Sequence, residues 1–347
     1  MSQEFEVLVQ PTMEDVASRA GVSRALVSLV MRNSPKVSER SRIAVLEAAE
    51  ELGYRRNLMA HHLASRRTMT IGLVLNDLHN PFFAEMTDGI HEAALEAGYR
   101  IVINTGLRNR AGEKAAVNTF LEFRTDGIIL VGSELSSDTL EALAAETNLV
   151  VAARVSTADS YDTVSIDDRL GARMVVDHLA NLGHRHIAHI DGGPGAGARR
   201  RREGYKAAMQ QRGLSEHVRI VAGEYSEHAG TAGVDRLLSD GETPTAIFAA
   251  NDLMASGVLN RLQGRGLRVP EDVSLVGFDN TAAAALHQMS LTTVDQPCEL
   301  LGRLAARYLI ERLDEERTDA VHELLTPSLV CRSTSGPVTR RAPAKNS

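Results

Sequence analysis

From Thr70 onward the chain alternates short apolar runs with longer amphipathic ones, and this constrains the fold more than any other feature. "TIGLVLND" has the length and character of a strand, "FFAEMTDGIHEAALEAGY" has helical spacing and stops at Gly98, and "RIVINTG" is again a strand. The pair repeats through "GEKAAVNTFLEFRTD" and "GIILVG", then "TLEALAAETN" and "LVVAAR". Past Asp167 it resumes with "ARMVVDHLANLGH", "HIAHIDG", "RREGYKAAMQQRG", "TAGVDRLLSDG", "AIFAAND", "LMASGVLNRLQGRG" and "VSLVGFD". Strand–helix–strand units with short links make parallel sheets covered by helices. The 347 residues suit two or three units, and with no Trp the cores must be aliphatic. The expected class is α/β, with two lobes and a cleft between them.

The first 67 residues follow another pattern. "TMEDVASRAGVSRALVSLVMRN", residues 12–33, reads as two short helices around a tight turn. Thr12 is suited to an N-cap and Asp15 completes a capping box. Gly21 tolerates the left-handed conformation that ends a helix, and Ser23 caps the next one. Val22, Leu26, Val27 and Val30 form an apolar stripe, leaving Arg24, Ala25, Ser28, Leu29 and Arg32 on the other face. A third helix begins at Ser38, with Val45, Leu46, Ala49 and Leu52 expected on its buried side and Gly53 as its stop. Three such helices make a helix-turn-helix, whose second helix enters the major groove of DNA. Charge agrees: from Thr12 to Arg67 there are ten Lys/Arg against six Asp/Glu, on a chain of net charge −7. A basic head on an acidic body fits a polyanion at one end.

Other features exclude classes of function. There is no run of 18 apolar residues, so no membrane-spanning helix is expected. The N-terminal "MSQEFEVLVQP" lacks a basic segment followed by an apolar one, so a secretory signal is not expected. Cys298 and Cys331 then read as reduced thiols of a cytoplasmic protein. His184, His186 and His189 do not have zinc-ligand spacing, and "DGGPGAG" at 191–197 lacks the dinucleotide-binding pattern. No cofactor or metal is expected. No nucleophile elbow, P-loop or H-E-x-x-H is present. One rival reading stays open: an enzyme acting on a sugar phosphate or nucleotide, with a fused DNA-binding head.

"T-x-x-D-V-A-x-x-A-G-V-S" at 12–23, "V-S-E-R-S-R" at 37–42 and "L-G-Y-x-x-N" at 52–57 resemble the lactose-repressor/galactose-repressor (LacI/GalR) family, and the resemblance extends to about Arg332. It implies a helix-turn-helix at 12–56 and a hinge helix at 57–68. A two-lobed core of periplasmic-binding-protein type follows at 69–334. The N-terminal lobe takes about 69–166 and 297–325, the C-terminal lobe about 167–294 and 326–334, and a polar tail at 335–347 is expected to be disordered. It also implies a homodimer on a pseudo-palindromic operator, a small sugar or polyol as effector, and repression as the usual outcome. The DNA-binding residues are then Thr12, Ser23, Arg24, Ala25, Ser28, Leu29, Ser38, Asn57, Ala60 and Leu63, with Leu63 as the wedge between base steps. Three positions depart from the family: Leu29 stands where Arg is common, Arg32 where Asn is usual, and Arg56 where Pro precedes Asn57. Leu29 offers thymine methyls only an apolar contact. The C-terminus has no leucine-heptad tail, which favours a dimer over a tetramer.

Open α/β sheets bind ligands beyond the carboxyl ends of their strands. Those ends carry Asn76–Asp77, Asn80-Pro81-Phe82-Phe83, Arg154, Asn251–Asp252 and Asp279–Asn280. Amide, carboxylate and guanidinium groups pair with vicinal hydroxyls, and a ring covers the apolar face of a sugar. "NPFF" is similar to the ring-covering motif of ribose-type binding proteins, and the resemblance adds Arg201 from "R-R-E-G-Y" and Gln296 from "L-T-T-V-D-Q". The expected ligand set is Asp77, Asn80, Phe82, Phe83, Arg154, Arg201, Asn251, Asp279 and Gln296. Ribose-type binders carry Asp where this chain has Ala153, which speaks against ribose itself.

Overall fold

The computed structural model describes residues 11–31, 33–55, 67–239 and 243–338. The chain divides into two units after Thr68.

The head is three helices: α1 (Met13–Ala20), α2 (Arg24–Met31) and α3 (Glu39–Glu51). Thr12 and Asp15 close the capping box: the Thr12 hydroxyl accepts from the Asp15 amide at 3.3 Å, and the Asp15 carboxylate accepts from the Thr12 amide at 2.8 Å. Gly21, at φ +65°, ends α1, and the Ser23 hydroxyl accepts from the Leu26 amide at 3.2 Å to start α2. Val16, Ala17, Val27, Val30, Val45, Ala48 and Ala49 form the core. Leu46 was expected there and is half exposed at 50%. The positions one turn on from Val45 are Ala48 and Ala49, so helical geometry takes Ala48 instead.

The first lobe of the larger unit contains β1 (Thr70–Leu75), α4 (Pro81–Glu96), β2 (Arg100–Thr105), α5 (Arg110–Glu122), β3 (Gly127–Val131), α6 (Ser137–Ala144), β4 (Asn148–Ala152) and β5 (Asp162–Ile166). The second contains α7 (Asp168–Asn181), β6 (Ile187–Ile190), α8 (Ala198–Gln211), β7 (Arg219–Val221), α9 (Glu227–Ser239), β8 (Ala246–Ala249), α10 (Asp252–Gly264), β9 (Ser274–Asp279), the short α11 (Ala282–Ala285) and β10 (Thr292–Asp295). The chain returns to the first lobe for α12 (Cys298–Leu313) and β11 (His322–Leu325), then adds β12 (Ser328–Val330) to the second. The sheets have orders β11-β5-β4-β3-β1-β2 and β12-β10-β9-β8-β6-β7, and every pairing is parallel except β10 with β12. Three strands of chain cross between the lobes, near residues 167, 297 and 327.

Strand parity distributes the apolar residues. Ile71, Leu73 and Leu75 face α4 and α12, while Val74 joins Val117, Phe120 and Leu130 beneath the other helices. The α4–α12 contact is close because it is made at glycines: a Cβ on Gly302 would collide with the Met86 carbonyl, and one on Gly89 with that of Glu299. β5 carries Asp162, Thr163 and Ser165, all buried. Asp162 accepts from Arg312 at 2.7 Å and Arg317 at 2.9 Å, and these bonds hold its pKa below the ordinary carboxylate value against the opposing effect of burial.

Docking extends past the expected boundary at 335. Ser335 bonds His178 at 2.9 Å, His184 Nε2 donates to the Gly336 carbonyl at 2.9 Å, and the Val338 amide donates to Leu182 at 3.0 Å. The end of the core therefore moves to Val338, because three successive polar groups find partners on the second lobe. Residues 339–347 lie outside the described residues.

Candidate effector site and DNA-reading helix

In the head, Arg24 and Ala25 are exposed, Ser28 and Leu29 half buried, and all four lie on or beside the face of α2 opposite the core. Among the described residues Arg24 makes a loose ion pair with Glu14 at 4.0 Å. Thr12, Ser23 and Ser38 each cap a helix start. Arg42, which sequence reading passed over, donates to Asn33 and to the Ser34 carbonyl, both at 2.7 Å, and so fixes the turn that follows α2. Asn57, Ala60 and Leu63, with the rest of the expected hinge through Arg66, lie outside the described residues.

In the larger unit, seven of the nine expected ligand residues line one cleft between the lobes: Asn80, Phe82, Phe83, Arg201, Asn251, Asp279 and Gln296. Asn80 caps α4 by accepting from the Phe82 amide at 3.1 Å, which sets the two rings edge to face with centroids 5.3 Å apart. Asn251 caps α10 by accepting from the Met254 amide at 2.9 Å. Its Nδ2 is buried with no partner among the described residues, as is Asn76 Oδ1 on the opposite lobe. Buried polar atoms are ordinarily bonded, so these two are exceptions, and both belong to residues that line the cleft.

Arg201 is the centre of the second lobe's contribution. Its Nε donates to Asp168 at 2.8 Å and its Nη1 to the Ala250 carbonyl at 2.6 Å, and the guanidinium lies 3.7 Å above the Phe278 ring. Asp279 stands 3.8 Å from Nη1 and accepts from Gln296 at 2.6 Å. Burial pushes the Asp279 carboxyl well above its ordinary pKa; Arg201 opposes this and the nearby Asp252 charge adds to it. Burial likewise raises Asp252, to about 6, although it accepts from Thr293 at 2.6 Å and from the Thr281 amide at 2.9 Å. Asp168 is also raised by burial, with Arg201 pulling the other way.

Two expected residues are not in the cleft. Asp77 is spent on the following turn, accepting from the His79 amide at 2.9 Å with Arg108 at 4.0 Å. Arg154 donates to the Ser133 and Leu135 carbonyls. It follows Ala153, whose φ of +59° turns the chain, so Ala153 lines the cleft and Arg154 braces the loop after β3. Asp168 and Tyr225 were missed, and Asn76, noted at the end of β1, was left out of the expected ligand set. The Tyr225 hydroxyl donates to the Ala196 carbonyl at 2.8 Å, and its ring packs against Gly192 and Gly195, so the 191–197 loop is wrapped around a tyrosine. Asp168 was legible in principle: in "IDD" after β5, Asp167 caps α7 and leaves the next carboxylate to the cleft.

The three histidines diverge. His184 bonds Thr245 and Gly336, His186 packs on His217 with ring centroids 4.3 Å apart, and His189 is buried in the second lobe's core. Among the described residues no group of three potential ligands surrounds a metal position. No helix among them is long and apolar enough to cross a membrane.

The head, at residues 12–57, matches the model of the bacterial regulatory proteins of the lacI family, and residues 176–335 match that of the periplasmic binding protein-like domain. Catabolite control protein A of Priestia megaterium is 36% identical over 313 residues, 89% of this chain and 94% of that protein. The chain belongs to the lacI family. Among solved structures, the lac repressor dimer bound to operator and the anti-inducer ONPF superposes with a TM-score of 0.82 at 29% identity, over 94% of this chain and 99% of that one. The transcriptional regulator CelR in complex with cellobiose gives 0.70 at 33%, over 94% and 100%. These relatives are transcriptional regulators, which disposes of the enzyme reading. This lacI-family regulator carries its helix-turn-helix head and its two-lobed core in separate units of one chain.

Proposed function

We propose that this regulator is a homodimeric repressor that works in the cytoplasm. Each head reads one half of a pseudo-palindromic operator, and a sugar or polyol in the interlobe cleft changes the affinity for DNA. The observation that carries the reading is that polar side chains from both lobes, among them Asn76, Asn80, Asn251 and Gln296, line one cleft with the rings of Phe82 and Phe83. A hydroxyl is both donor and acceptor and suits such side chains. That the relatives were captured with operator and with cellobiose supports the same assignment.

The lobes stand close together. The Ala282 amide of the second lobe donates to Glu85 of the first at 2.7 Å, and the cleft keeps about 50 Å³ of water-accessible space. A polyol must draw the lobes apart or together around itself. An effector alters DNA binding only through its differential affinity for the two arrangements, which for this class of coupling amounts to ~1–3 kcal/mol. The segment 57–68 is then the hinge, with Leu63 as a wedge acting on kinked operator, and Asn57 and Ala60 beside it.

The test is selection of operator fragments from genomic DNA by the full chain, followed by titration with a sugar panel. Deleting residues 1–68 should abolish selection while the remaining core still binds the active sugar. A truncated core that retains operator binding, or full-length operator binding that no sugar or polyol shifts, counts against the proposal.

A further inference from the structure

We infer that the cleft admits an uncharged polyhydroxy compound and rejects phosphate esters and sugar acids, and that Asp168 is the residue that sets this rejection. The inference rests on reading the cleft as the effector site. Arg201 is the only cation among the described residues lining the cleft, and two of its five N–H donors are already engaged. Its Nε is held by Asp168 at 2.8 Å, Nη1 by the Ala250 carbonyl at 2.6 Å, and its face by Phe278. Asp279 is a second carboxylate 3.8 Å from the same guanidinium. Asp168 and Asp279 are 5% and 3% exposed, and Arg201 5%. An anionic ligand would join two buried carboxyl groups around one cation, without the compensation that burial of charge requires.

The surrounding arginines each have a carboxylate partner, although Arg200 Nε is buried with no hydrogen bond among the described residues. In the run 199–202, Arg199 pairs with Glu203 at 3.2 Å, Arg200 with Asp167 at 3.7 Å, and Arg202 with Asp191. The loop facing Asp168 is built around its carboxylate: Gly197 sits at φ +76°, and a Cβ there would come 2.8 Å from Asp168 Oδ1. Asp168 therefore acts through Arg201. It consumes the donor that would otherwise make this cleft an anion site.

The experiment uses calorimetry on the full-length protein with D-glucose, D-galactose and D-ribose, the phosphate ester of each, and inorganic phosphate. The expected result is that any sugar which binds does so at least ~100-fold more tightly than its ester, and that inorganic phosphate does not bind at millimolar concentration. Asp168→Asn should gain at least ~10-fold affinity for the esters or inorganic phosphate, and adding Arg201→Met should abolish the gain. An ester binding wild type as tightly as its parent sugar overturns the charge rule but leaves the effector cleft intact. A folded Asp168→Asn protein with no gain overturns the role of Asp168. If that variant does not fold, the wild-type comparison of sugar with ester decides. If none of the three sugars binds wild type and the variant still gains phosphate, the charge rule holds and the sugar assignment of the proposed function fails.

Discussion

Replacing Arg201 by Met removes the guanidinium and keeps much of the aliphatic stem, so the change isolates the charge. In the folded core that charge offsets Asp168 at 2.8 Å, stands 3.8 Å from Asp279, and satisfies the Ala250 carbonyl. Deleting one partner of a buried pair leaves the other uncompensated and costs ~3–5 kcal/mol. Asp168→Asn removes the charge that would be left behind, so the double variant should lose less than the two single losses added. A coupling of ~1–3 kcal/mol is expected for groups in direct contact. The pH dependence has a defined sign. A carboxyl whose folded pKa lies above its ordinary value holds its proton more tightly when folded, so the stability it lends is present in acid and lost as pH rises through the folded value. Asp168 is already raised by burial, and without Arg201 it has lost the main influence pulling it down. The deficit of Arg201→Met should therefore be smaller at pH 5 than at pH 8. With no tryptophan in the chain, urea unfolding is followed by far-ultraviolet circular dichroism. A loss under ~1 kcal/mol, strict additivity with Asp168→Asn, or a deficit that grows in acid would refute the pairing argument.

His189 Nδ1 donates to the Phe248 carbonyl at 3.0 Å, its Nε2 is buried without a partner, and burial holds its pKa down to about 4. The unfolded chain takes the proton first, so stability is lost as pH falls from 6.5 towards 4, by about 3 kcal/mol at the rate of ~1.4 per unit; His189→Leu should flatten that slope in urea titrations, and an unchanged slope would exclude His189 as its source. Asn251→Ser keeps an oxygen to cap α10 and removes the free Nδ2. Stability should change by under ~1 kcal/mol while calorimetry shows effector affinity reduced by a hydrogen bond's ~1–3 kcal/mol; equal losses in both would mean that the cap is the whole role of Asn251. Gly302→Ala forces a methyl onto the Met86 carbonyl where α4 and α12 cross, and should cost ~1–3 kcal/mol with an unaltered head. A thermal midpoint equal to wild type would show that this crossing yields easily.

The head was readable almost residue by residue because its signals are local: a cap, a glycine at +65°, and apolar positions at helical spacing all lie within one or two turns of each other. The lobes were readable as alternation, but five strands escaped: β5, β7, β10, β11 and β12. β5 reads "DTVSI", with polar residues at three of five positions, and is buried through bonds to Arg312 and Arg317 about 150 residues away. Nothing near Asp162 in the chain announces those arginines. β7 has three residues, too few to show a period, and β12 joins its sheet only by a late return of the chain. The omissions in the site follow from this. Tyr225 comes just after β7, and Asp168 just after β5, so a search of strand ends passed over both. The two residues wrongly placed, Asp77 and Arg154, are the converse case. Each does sit at a strand end, but local partners consume it: the His79 amide for one, two loop carbonyls for the other. Strand-end position therefore nominates a residue, and its unspent hydrogen-bonding capacity decides whether it serves a ligand. By that criterion Asn76 and Asn251, with one free atom each, are the strongest members of the cleft. Arg201 belongs to it chiefly as a scaffold: two of its five N–H donors and its contact with the Phe278 ring are used within the second lobe, so it shapes what the cleft can hold.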